Sequence, residues 1–208
     1  MKRYSGRSER EVKTFLARRD TYTLHKPRVR FPRRKTYSKG IADLYQIDLA
    51  DVSNLAAFND GARYLLTCIR CIDVFSKRAW AVPVRTKTGR DVVNAFEKIL
   101  IDGMPNMVQS DKGTEFLNST FQSMLKRRGI KFYTSENKDW KASVVERFNR
   151  TFKTKMYRYF TYKNTRRYVD VLDNMLHSYN NTYHSSIRMA PAEVNVDNEH
   201  MVRNACIR

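Results

Sequence analysis

Residues 44–52 read LYQIDLADV, and their side chains alternate between two faces. Tyr45, Ile47 and Leu49 make one face apolar, and this alternation with a period of two predicts a β-strand. The opposite face holds Leu44, Gln46, Asp48 and Ala50. Because Asp48 lies in the middle of a strand that is predicted to be buried, its carboxylate needs a charged or hydrogen-bonding partner.

The segments that follow extend this strand into a sheet. Two β-rich runs, RYLLTCIRCIDV at 63–74 and RAWAVPV at 78–84, favour an antiparallel meander of three strands. The remaining predicted elements are a helix between Thr88 and Gly103, a strand over 107–110, a helix over 116–128, a strand over 130–134, and helices over 142–162 and 166–183. This order predicts an α/β fold with a mixed five-stranded sheet flanked by helices.

The charge of the chain is strongly positive and unevenly distributed. The whole chain has 40 Lys and Arg against 21 Asp and Glu, a net charge of +19. Residues 1–40 hold 14 Lys and Arg against 3 Asp and Glu, a net charge of +11. Such an excess favours a polyanionic partner, above all nucleic acid. We interpret residues 1–40 as a basic N-terminal arm that contacts phosphates or directs the protein to the nucleus; the alternative is a solvated linker. The candidate DNA-binding residues of the arm are Arg30, Arg33, Arg34 and Lys35.

The composition argues against two other classes of protein. No apolar run approaches the ~18 residues that a membrane helix needs, and the first ten residues, MKRYSGRSER, lack the apolar stretch of a signal peptide. The three cysteines, Cys68, Cys71 and Cys206, are too few for a disulfide framework. We therefore expect neither a membrane-spanning nor a secreted protein, but one that works in a reducing compartment.

Three carboxylates are distinguished by their positions. Asp48 lies within the first strand, Asp111 at the end of the 107–110 strand, and Glu146 near the start of a helix. Strand ends in α/β sheets often carry functional sites, and three carboxylates that converge there could hold two Mg²⁺ ions for phosphoryl transfer. The spacing alone leaves a second interpretation open, in which Asp48 pairs with an arginine, Asp111 caps a helix and Glu146 is an exposed acid of a first helical turn.

The helix that contains Glu146 has two distinct stripes. Its apolar stripe consists of Val145, Phe148, Phe152 and Met156, and its polar stripe, about a quarter turn away, consists of Glu146, Asn149, Arg150 and Lys153. The polar stripe offers a carboxylate, an amide and two cations to one neighbourhood. This combination suits an acidic metal ligand beside groups that bind phosphates.

Several motifs, in one order, resemble those of DDE-type integrase catalytic cores, the retroviral and retrotransposon integrase superfamily. The matching segments are YQIDL at 45–49, IDVFSK at 72–77, SDKGTEF at 110–116, VERFNRTFK at 145–153, YNNTYH at 179–184 and APAEV at 190–194. The resemblance covers roughly residues 41–194 and implies a ribonuclease-H-like fold. The segment YTLHKP at 22–27 is most similar to integrases of Polinton/Maverick-type DNA transposons.

The resemblance also implies roles for particular residues. The catalytic residues, which bind Mg²⁺ or Mn²⁺ in a two-metal site, would be Asp48, Asp111 and Glu146, and the contacts to donor-end DNA would come from Asn149, Arg150 and Lys153. Asp51 is an alternative first acid, but Asp48 lies directly in the matching motif.

The activity that the resemblance implies is DNA integration. The reaction consists of 3′-end processing by water and strand transfer, in which the freed 3′-OH attacks a target phosphodiester without a covalent protein intermediate. The expected partners are transposon ends, target DNA and further copies of the chain, with no membrane, and the expected location is the nucleus.

We divide the chain into the basic arm at 1–40, an integrase core at 41–195 and a C-terminal tail at 196–208. We find neither a His-His-Cys-Cys zinc motif before the core nor a chromodomain or small β-barrel after it, which suggests a fragmentary or domesticated transposon copy. The alternative function is therefore that of a non-catalytic DNA-binding remnant. A ribonuclease-H-type nuclease that hydrolyses RNA–DNA hybrids is a third interpretation with the same expected fold.

Other candidate ligands have simpler explanations. Cys68 and Cys71 fall at an odd spacing in a predicted strand, which sends their side chains to opposite faces, so we expect core packing rather than zinc binding. His177 and His184 share a helical face without an acidic neighbour at ligand spacing, which argues against a metal role. Glu115 is interpreted as structural.

Aromatic residues near the candidate site leave two interpretations open. Tyr157, Tyr159, Phe160 and Tyr162 could stack on bases, but their helical spacing favours the hydrophobic flank of a long helix. Trp140 lies in the loop before the Glu146 helix and could contact DNA or anchor the loop.

Overall fold

The computed structural model describes residues 8–16, 18, 40–69, 75–134 and 143–207. The chain divides into two units, residues 1–33 and 34–208. In the first unit, helix α1 spans Glu9–Leu16 and begins with a capping box, because Ser8 Oγ accepts from Glu11 N at 3.3 Å and the Glu11 carboxylate accepts from Ser8 N at 2.8 Å. The predicted DNA-binding residues Arg30, Arg33, Arg34 and Lys35 lie outside the described residues.

The second unit is built on a mixed five-stranded sheet, as the sequence predicts. Its strands are β1 (Leu44–Asp51), β2 (Tyr64–Ile69), β3 (Ala79–Val84), β4 (Met107–Ser110) and β5 (Lys131–Thr134), in the order β3-β2-β1-β4-β5. β1, β2 and β3 pair antiparallel, whereas β4 is parallel to β1 and to β5. The central strand β1 therefore carries its side chains to both faces of the sheet at the middle of the fold.

Helices cover both faces of the sheet. One face packs against α2 (Gly89–Leu100), α3 (Thr114–Leu117) and α4 (Ser119–Arg127), and the other packs against α5 (Ser143–Lys163) and α6 (Leu172–Asn180). Tyr45, Ile47 and Leu49 are buried on the α2–α4 side. The alternation of β1 therefore directs Gln46 and Asp48 towards α5, because neighbouring residues of a strand point to opposite faces.

The predicted helix over 116–128 is interrupted. Asn118 has an extended backbone, with φ −69° and ψ 155°, and its Oδ1 accepts from Phe121 N at 2.9 Å. This side chain caps α4 and separates it from α3, because Asn satisfies an otherwise unpaired backbone donor at a helix start.

The predicted helix over 166–183 is also shorter than its pattern indicates. α6 begins only at Leu172, after a 3₁₀ turn over Val169–Val171. The side-chain oxygen of Asn59, which is fully buried, accepts from the backbone nitrogens of Tyr168 at 2.7 Å and Val169 at 3.2 Å. Since Asn59 occupies these donors, the chain is held in a turn before the helix begins.

The segment 196–208 contributes a helix, α7, over Glu199–Ile207. Val202 of this helix is fully buried and belongs to a cluster with Leu44, Phe75, Ile187 and Val194. The segment that the sequence marks as a tail is therefore packed against the first strand of the core. No helix within the described residues combines the length and apolar character required to cross a membrane.

Candidate active site

The three candidate carboxylates belong to three neighbouring elements: the central strand β1, the end of β4 and the start of α5. Asp48 is half-buried near the middle of β1, Asp111 follows the last residue of β4, and Glu146 lies in the first turn of α5. Gln46 is opposite Gln109 in the parallel β1–β4 pair. Asp48 and Asp111 each follow these partners by two residues, so the register of the sheet brings the two aspartates to the same side.

The Asp48 carboxylate lies close enough to Asp111 and Glu146 to be affected by both charges. Burial raises the pKa of Asp48, and repulsion from Asp111 and, more weakly, from Glu146 raises it further. Hydrogen bonds from Leu49 and Asn149 oppose this rise of the pKa. The arrangement concentrates negative charge at one place, which favours binding of a cation.

The polar stripe of α5 faces this acidic edge. Asn149 Nδ2 donates to Asp48 Oδ2 at 2.6 Å, and Lys153 Nζ donates to the backbone oxygen of Asp51 at 3.1 Å. The predicted apolar stripe of Val145, Phe148, Phe152 and Met156 is buried against the sheet. Burial of that stripe fixes the rotation of α5 and thereby directs Asn149 at Asp48.

Asp51, the alternative first acid, has a different environment. Its side chain is exposed, and its Oδ1 accepts from Ser53 N at 2.8 Å. That backbone hydrogen bond lowers the pKa of Asp51. The two aspartates therefore differ: Asp51 stabilises a local turn, whereas Asp48 interacts with Asp111, Glu146 and Asn149.

The environments of Asp111 and Glu146 also agree with the interpretation in which these acids bind no metal. Asp111 is exposed, and its Oδ1 accepts from Gly113 N at 3.1 Å in a local turn before α3. Glu146 is exposed in the first turn of α5. Asp48, by contrast, is paired with the amide of Asn149 rather than with an arginine.

The donor atoms of this site suit a hard divalent cation. Carboxylate and amide oxygens are the ligands that Mg²⁺ and Mn²⁺ prefer. Asn149 is buried, and its Oδ1 has no hydrogen-bond partner among the described residues, although buried acceptors are normally paired. Within the described ranges, however, no group of three His, Cys, Asp or Glu side chains is arranged to hold a metal ion. The chemistry of the residues thus fits the metal, although their side chains are not gathered into a complete coordination shell among the described residues.

A groove of about 880 Å³ continues from the carboxylates along α5. It is lined by Asp48, Leu49, Ala50, Asp51, Glu146, Asn149, Arg150, Lys153, Thr154, Tyr157, Arg158 and Thr161. Between Glu146 and Thr161 the helix rises by roughly 22 Å. The groove therefore places three cations, Arg150, Lys153 and Arg158, on one track that leads away from the acids.

Arg158 lines the groove although no sequence pattern singled it out, and Tyr157, one of the residues that could stack on bases, lines it too. Arg158 follows Arg150 by eight residues, about two helical turns, and this spacing could have identified it. Tyr157 is 51% exposed, and Tyr162 is 79% exposed, whereas Phe160 is buried. The aromatic residues therefore do not all belong to the hydrophobic flank of the helix, because Tyr157 lines the groove.

The remaining candidates lie away from this groove or outside the described residues. His184 Nδ1 shares a hydrogen bond with Ser186 Oγ at 3.0 Å, and His177 is exposed on α6. The Glu115 carboxylate lies 3.9 Å from Lys87 Nζ. Trp140, Cys71 and the side chain of Cys68 lie outside the described part.

The sequence of the chain is similar to an integrase family and to one transposon-derived protein. Residues 43–139 match the family described as integrase core domain. An uncharacterized transposon-derived protein of Caenorhabditis elegans is 36% identical over 138 residues, which cover 65% of this chain and 47% of that protein. The chain thus spans about half the length of the curated relative that it matches.

Solved structures of retroviral integrases have a similar fold. A chain of the simian T-cell lymphotropic virus intasome in complex with PP2A regulatory subunit B56 gamma has a TM-score of 0.69 at 18% identity, over 90% of this chain and 66% of that one. The HTLV-2 integrase catalytic core domain in complex with magnesium gives 0.61 at 17% identity, over 74% and 96%. The BIV integrase catalytic core domain gives 0.59 at 20% identity, over 76% and 97%. At these identities the likeness shows the fold, which is ribonuclease-H-like.

Proposed function

We propose that this chain, whose residues 43–139 match the integrase core domain family, is a DDE-type polynucleotidyl transferase that carries out 3′-end processing and strand transfer of DNA. The observation that supports this proposal best is the half-buried Asp48 carboxylate, which is bonded to Asn149, and whose pKa is raised by burial and then by the charges of Asp111 and Glu146. The cost of holding these acids together is expected at a site that binds cations during its reaction.

Asp48, Asp111 and Glu146 would hold Mg²⁺ or Mn²⁺ in a two-metal site. When bound, such ions lower the pKa of an attacking water or hydroxyl and neutralise charge on the transferred phosphate. The unpaired Oδ1 of Asn149, next to Asp48, is consistent with a cation or a hydrogen-bond donor arriving at this point.

The residues of α5 would bind and orient the DNA. Arg150, Lys153 and Arg158 line the groove and supply positive charge to successive phosphates, since side-chain cations bind phosphate oxygens strongly. Asn149 orients Asp48 through its amide hydrogen bond. A DNA strand bound in this groove would have one phosphodiester beside the carboxylates, and the rest of the strand would follow the helix.

The wider features of the proposal concern partners and location. DNA ends of a transposon and target DNA are the proposed substrates, a homo-oligomer is the proposed working form, and the nucleus is the proposed location. Arg30, Arg33, Arg34 and Lys35 of the basic arm would add phosphate contacts outside the core. The YTLHKP segment at 22–27 supports a Polinton/Maverick-type origin.

The test is strand transfer with an oligonucleotide that carries a terminal-repeat end, in Mg²⁺ and in Mn²⁺. Asp111→Asn should reduce the rate by more than the 10–100-fold typical of residues that only support a metal ligand. Asp173→Asn, which changes an exposed acid on α6, is the matched control and should be as active as wild type. Equal activity of wild type and Asp111→Asn would overturn the assigned mechanism.

A second candidate function is DNA binding without catalysis. The observation that favours it is the concentration of positive charge, a net of +11, in residues 1–40. This candidate predicts salt-sensitive DNA binding without metal-dependent nicking, and a large loss of affinity when residues 1–40 are deleted.

A further inference from the structure

Two buried glutamines join the strands that carry the candidate aspartates. Gln46 on β1 is opposite Gln109 on β4, and Gln46 Nε2 donates to Gln109 Oε1 at 2.8 Å. Their exposed fractions are only 1% and 6%. Burial of an amide side chain costs free energy unless its polar atoms are hydrogen-bonded, and an apolar pair at these positions would have no such requirement.

The same glutamine reaches a third segment of the chain. Gln46 Oε1 accepts from the backbone nitrogen of Val145 at 3.4 Å, and this contact is buried. Val145 lies in the first turn of α5, where backbone N–H groups have no acceptor within the helix. One side chain therefore links β1, β4 and the start of α5.

Each of these links lies next to a candidate carboxylate. Gln46 precedes Asp48 by two residues, Gln109 precedes Asp111 by two, and Val145 directly precedes Glu146. Residues two apart in a strand share a face. The hydrogen bonds thus fix the three stretches of backbone that present the acids, although neither glutamine is itself placed among the reacting groups.

We infer that Gln46 and Gln109 are positioning residues, which hold the three carboxylate-bearing segments in mutual register for metal binding and DNA strand transfer. The inference rests on the proposed function. It explains why two polar side chains are buried between β1 and β4. An apolar pair of similar shape could make the fold nearly as stable, so stability alone does not require the glutamines. The polar pair then serves the geometry at the acids more than the stability of the fold.

The test compares the full chain with the double variant Gln46→Met/Gln109→Met. Because both glutamines are replaced, no buried side-chain amide is left unpaired, and the fall in melting temperature should be limited to that caused by one donor, the buried Val145 N–H, which loses its acceptor. Hydrogen exchange of the Val145 amide, measured without metal, should become at least about tenfold faster. The affinity for Mn²⁺, measured by calorimetry, should fall about 10–100-fold, as for other groups that orient metal ligands. Strand transfer should lose kcat with little change in the KM for DNA.

Two single variants separate positioning from stability. Gln109→Met leaves Gln46 Nε2 without its partner but keeps the bond to Val145 N, so it should lower the melting temperature with a smaller effect on Val145 exchange. Gln122→Met is the matched control, because it removes a 2.7 Å bond from Gln122 Nε2 to Phe116 O away from the acids. It should leave both Val145 exchange and Mn²⁺ affinity unchanged.

The outcomes distinguish the inference from the proposed function. Unchanged Val145 exchange in the double variant, or faster exchange with unchanged Mn²⁺ affinity, would overturn the positioning role while leaving the proposed function intact. A wild-type chain that takes up no Mn²⁺ and transfers no strands would overturn the proposed function. The metal-free exchange measurement would still decide whether Gln46 anchors the start of α5.

Discussion

Asn149 Nδ2 donates a 2.6 Å hydrogen bond to Asp48 Oδ2, although the two residues are 101 positions apart in the chain. The bond joins the polar stripe of α5 to the central strand and gives a half-buried carboxylate one favourable partner. Burial and the charges of Asp111 and Glu146 nevertheless keep the pKa of Asp48 above its usual value. The charged form of Asp48 is therefore destabilised in the folded protein when no metal is bound.

The raised pKa of Asp48 predicts how the stability of the protein depends on pH. The folded-state pKa of Asp48 is raised, so its ionisation opposes folding above the unfolded-state pKa, and the penalty disappears as pH falls below both values. Asp48→Asn should raise the melting temperature in EDTA at pH 7 and have less effect near pH 4; in a chain of this size about 1 kcal/mol corresponds to about 2–4 °C. Thermal unfolding followed by circular dichroism measures the difference.

Asp51→Asn provides the control of opposite sign. The pKa of Asp51 is lowered by the hydrogen bond from Ser53 N, so its carboxylate contributes stability above the unfolded-state pKa and loses it as pH falls through the lowered folded-state pKa. This variant should be less stable than wild type at pH 7. A lower melting temperature for Asp48→Asn than for wild type at pH 7 would contradict the raised pKa assigned to Asp48.

Metal should stabilise the wild-type chain. A ligand that binds only the folded state adds about 2.7 kcal/mol at one hundred times its Kd, so Mn²⁺ should raise the melting temperature in a concentration-dependent way. Glu146→Gln should reduce this shift, whereas Glu97→Gln, which removes an acid paired with Arg128 at 2.9 Å, should not. A wild-type melting curve that is independent of metal would favour the non-catalytic interpretation.

The groove along α5 predicts a distal contact to DNA. Arg158→Gln should weaken DNA binding at low salt and reduce the slope of log affinity against log salt by about one. Lys126→Gln, an exposed cation on α4, should change neither quantity. The measurement is fluorescence anisotropy at several salt concentrations, and equal slopes for wild type and Arg158→Gln would exclude a phosphate contact there.

Tyr157 allows a separate test of the groove. If its exposed ring stacks on an unpaired base, Tyr157→Ala should cost about 1–3 kcal/mol in binding to a DNA end with a single-stranded overhang. Binding to blunt duplex DNA should change less. A similar loss on both DNAs would argue for a structural role of the ring instead.

Asn59 predicts a large effect on stability away from the acids. Its amide donates to Leu55 O at 2.8 Å and to Arg166 O at 2.9 Å, and its oxygen accepts from two further backbone nitrogens. Asn59→Ala leaves buried backbone groups unpaired, so the free energy of unfolding should fall by roughly 3–5 kcal/mol. Urea denaturation measures this loss. Asn94→Ala, at an exposed position of α2, should stay within about 0.5 kcal/mol of wild type.

Much of the fold follows from local patterns that the sequence displays. The alternation in β1 predicted which residues enter the core, and the stripe of Val145, Phe148, Phe152 and Met156 predicted the buried side of α5. Such periodicities are visible in sequence because each strand or helix must bury one face whatever it packs against. The mixed five-stranded sheet was predicted for the same reason.

The errors in the predicted helices arose where a side chain competes with the helix for backbone hydrogen bonds. Asn118 divides the helix predicted over 116–128, and Asn59 holds Tyr168 and Val169 in a turn before α6. The first of these residues is local and its capping role could have been recognised. The second is 109 positions from Tyr168, so no local pattern contains the information.

Local patterns alone specify the alternating strand, the stripes of α5, the concentration of positive charge in residues 1–40 and the three candidate acids. Which atoms meet at the site depends on the folded chain: the pairing of Asn149 with Asp48, the link from Gln46 to Gln109 and Val145, and the continuation of the groove to Arg158. The physical reason is that hydrophobic periodicity is a property of each element, whereas a hydrogen bond between distant residues depends on the register of β1 against β4 and on the rotation of α5. Both are set by packing across the whole sheet.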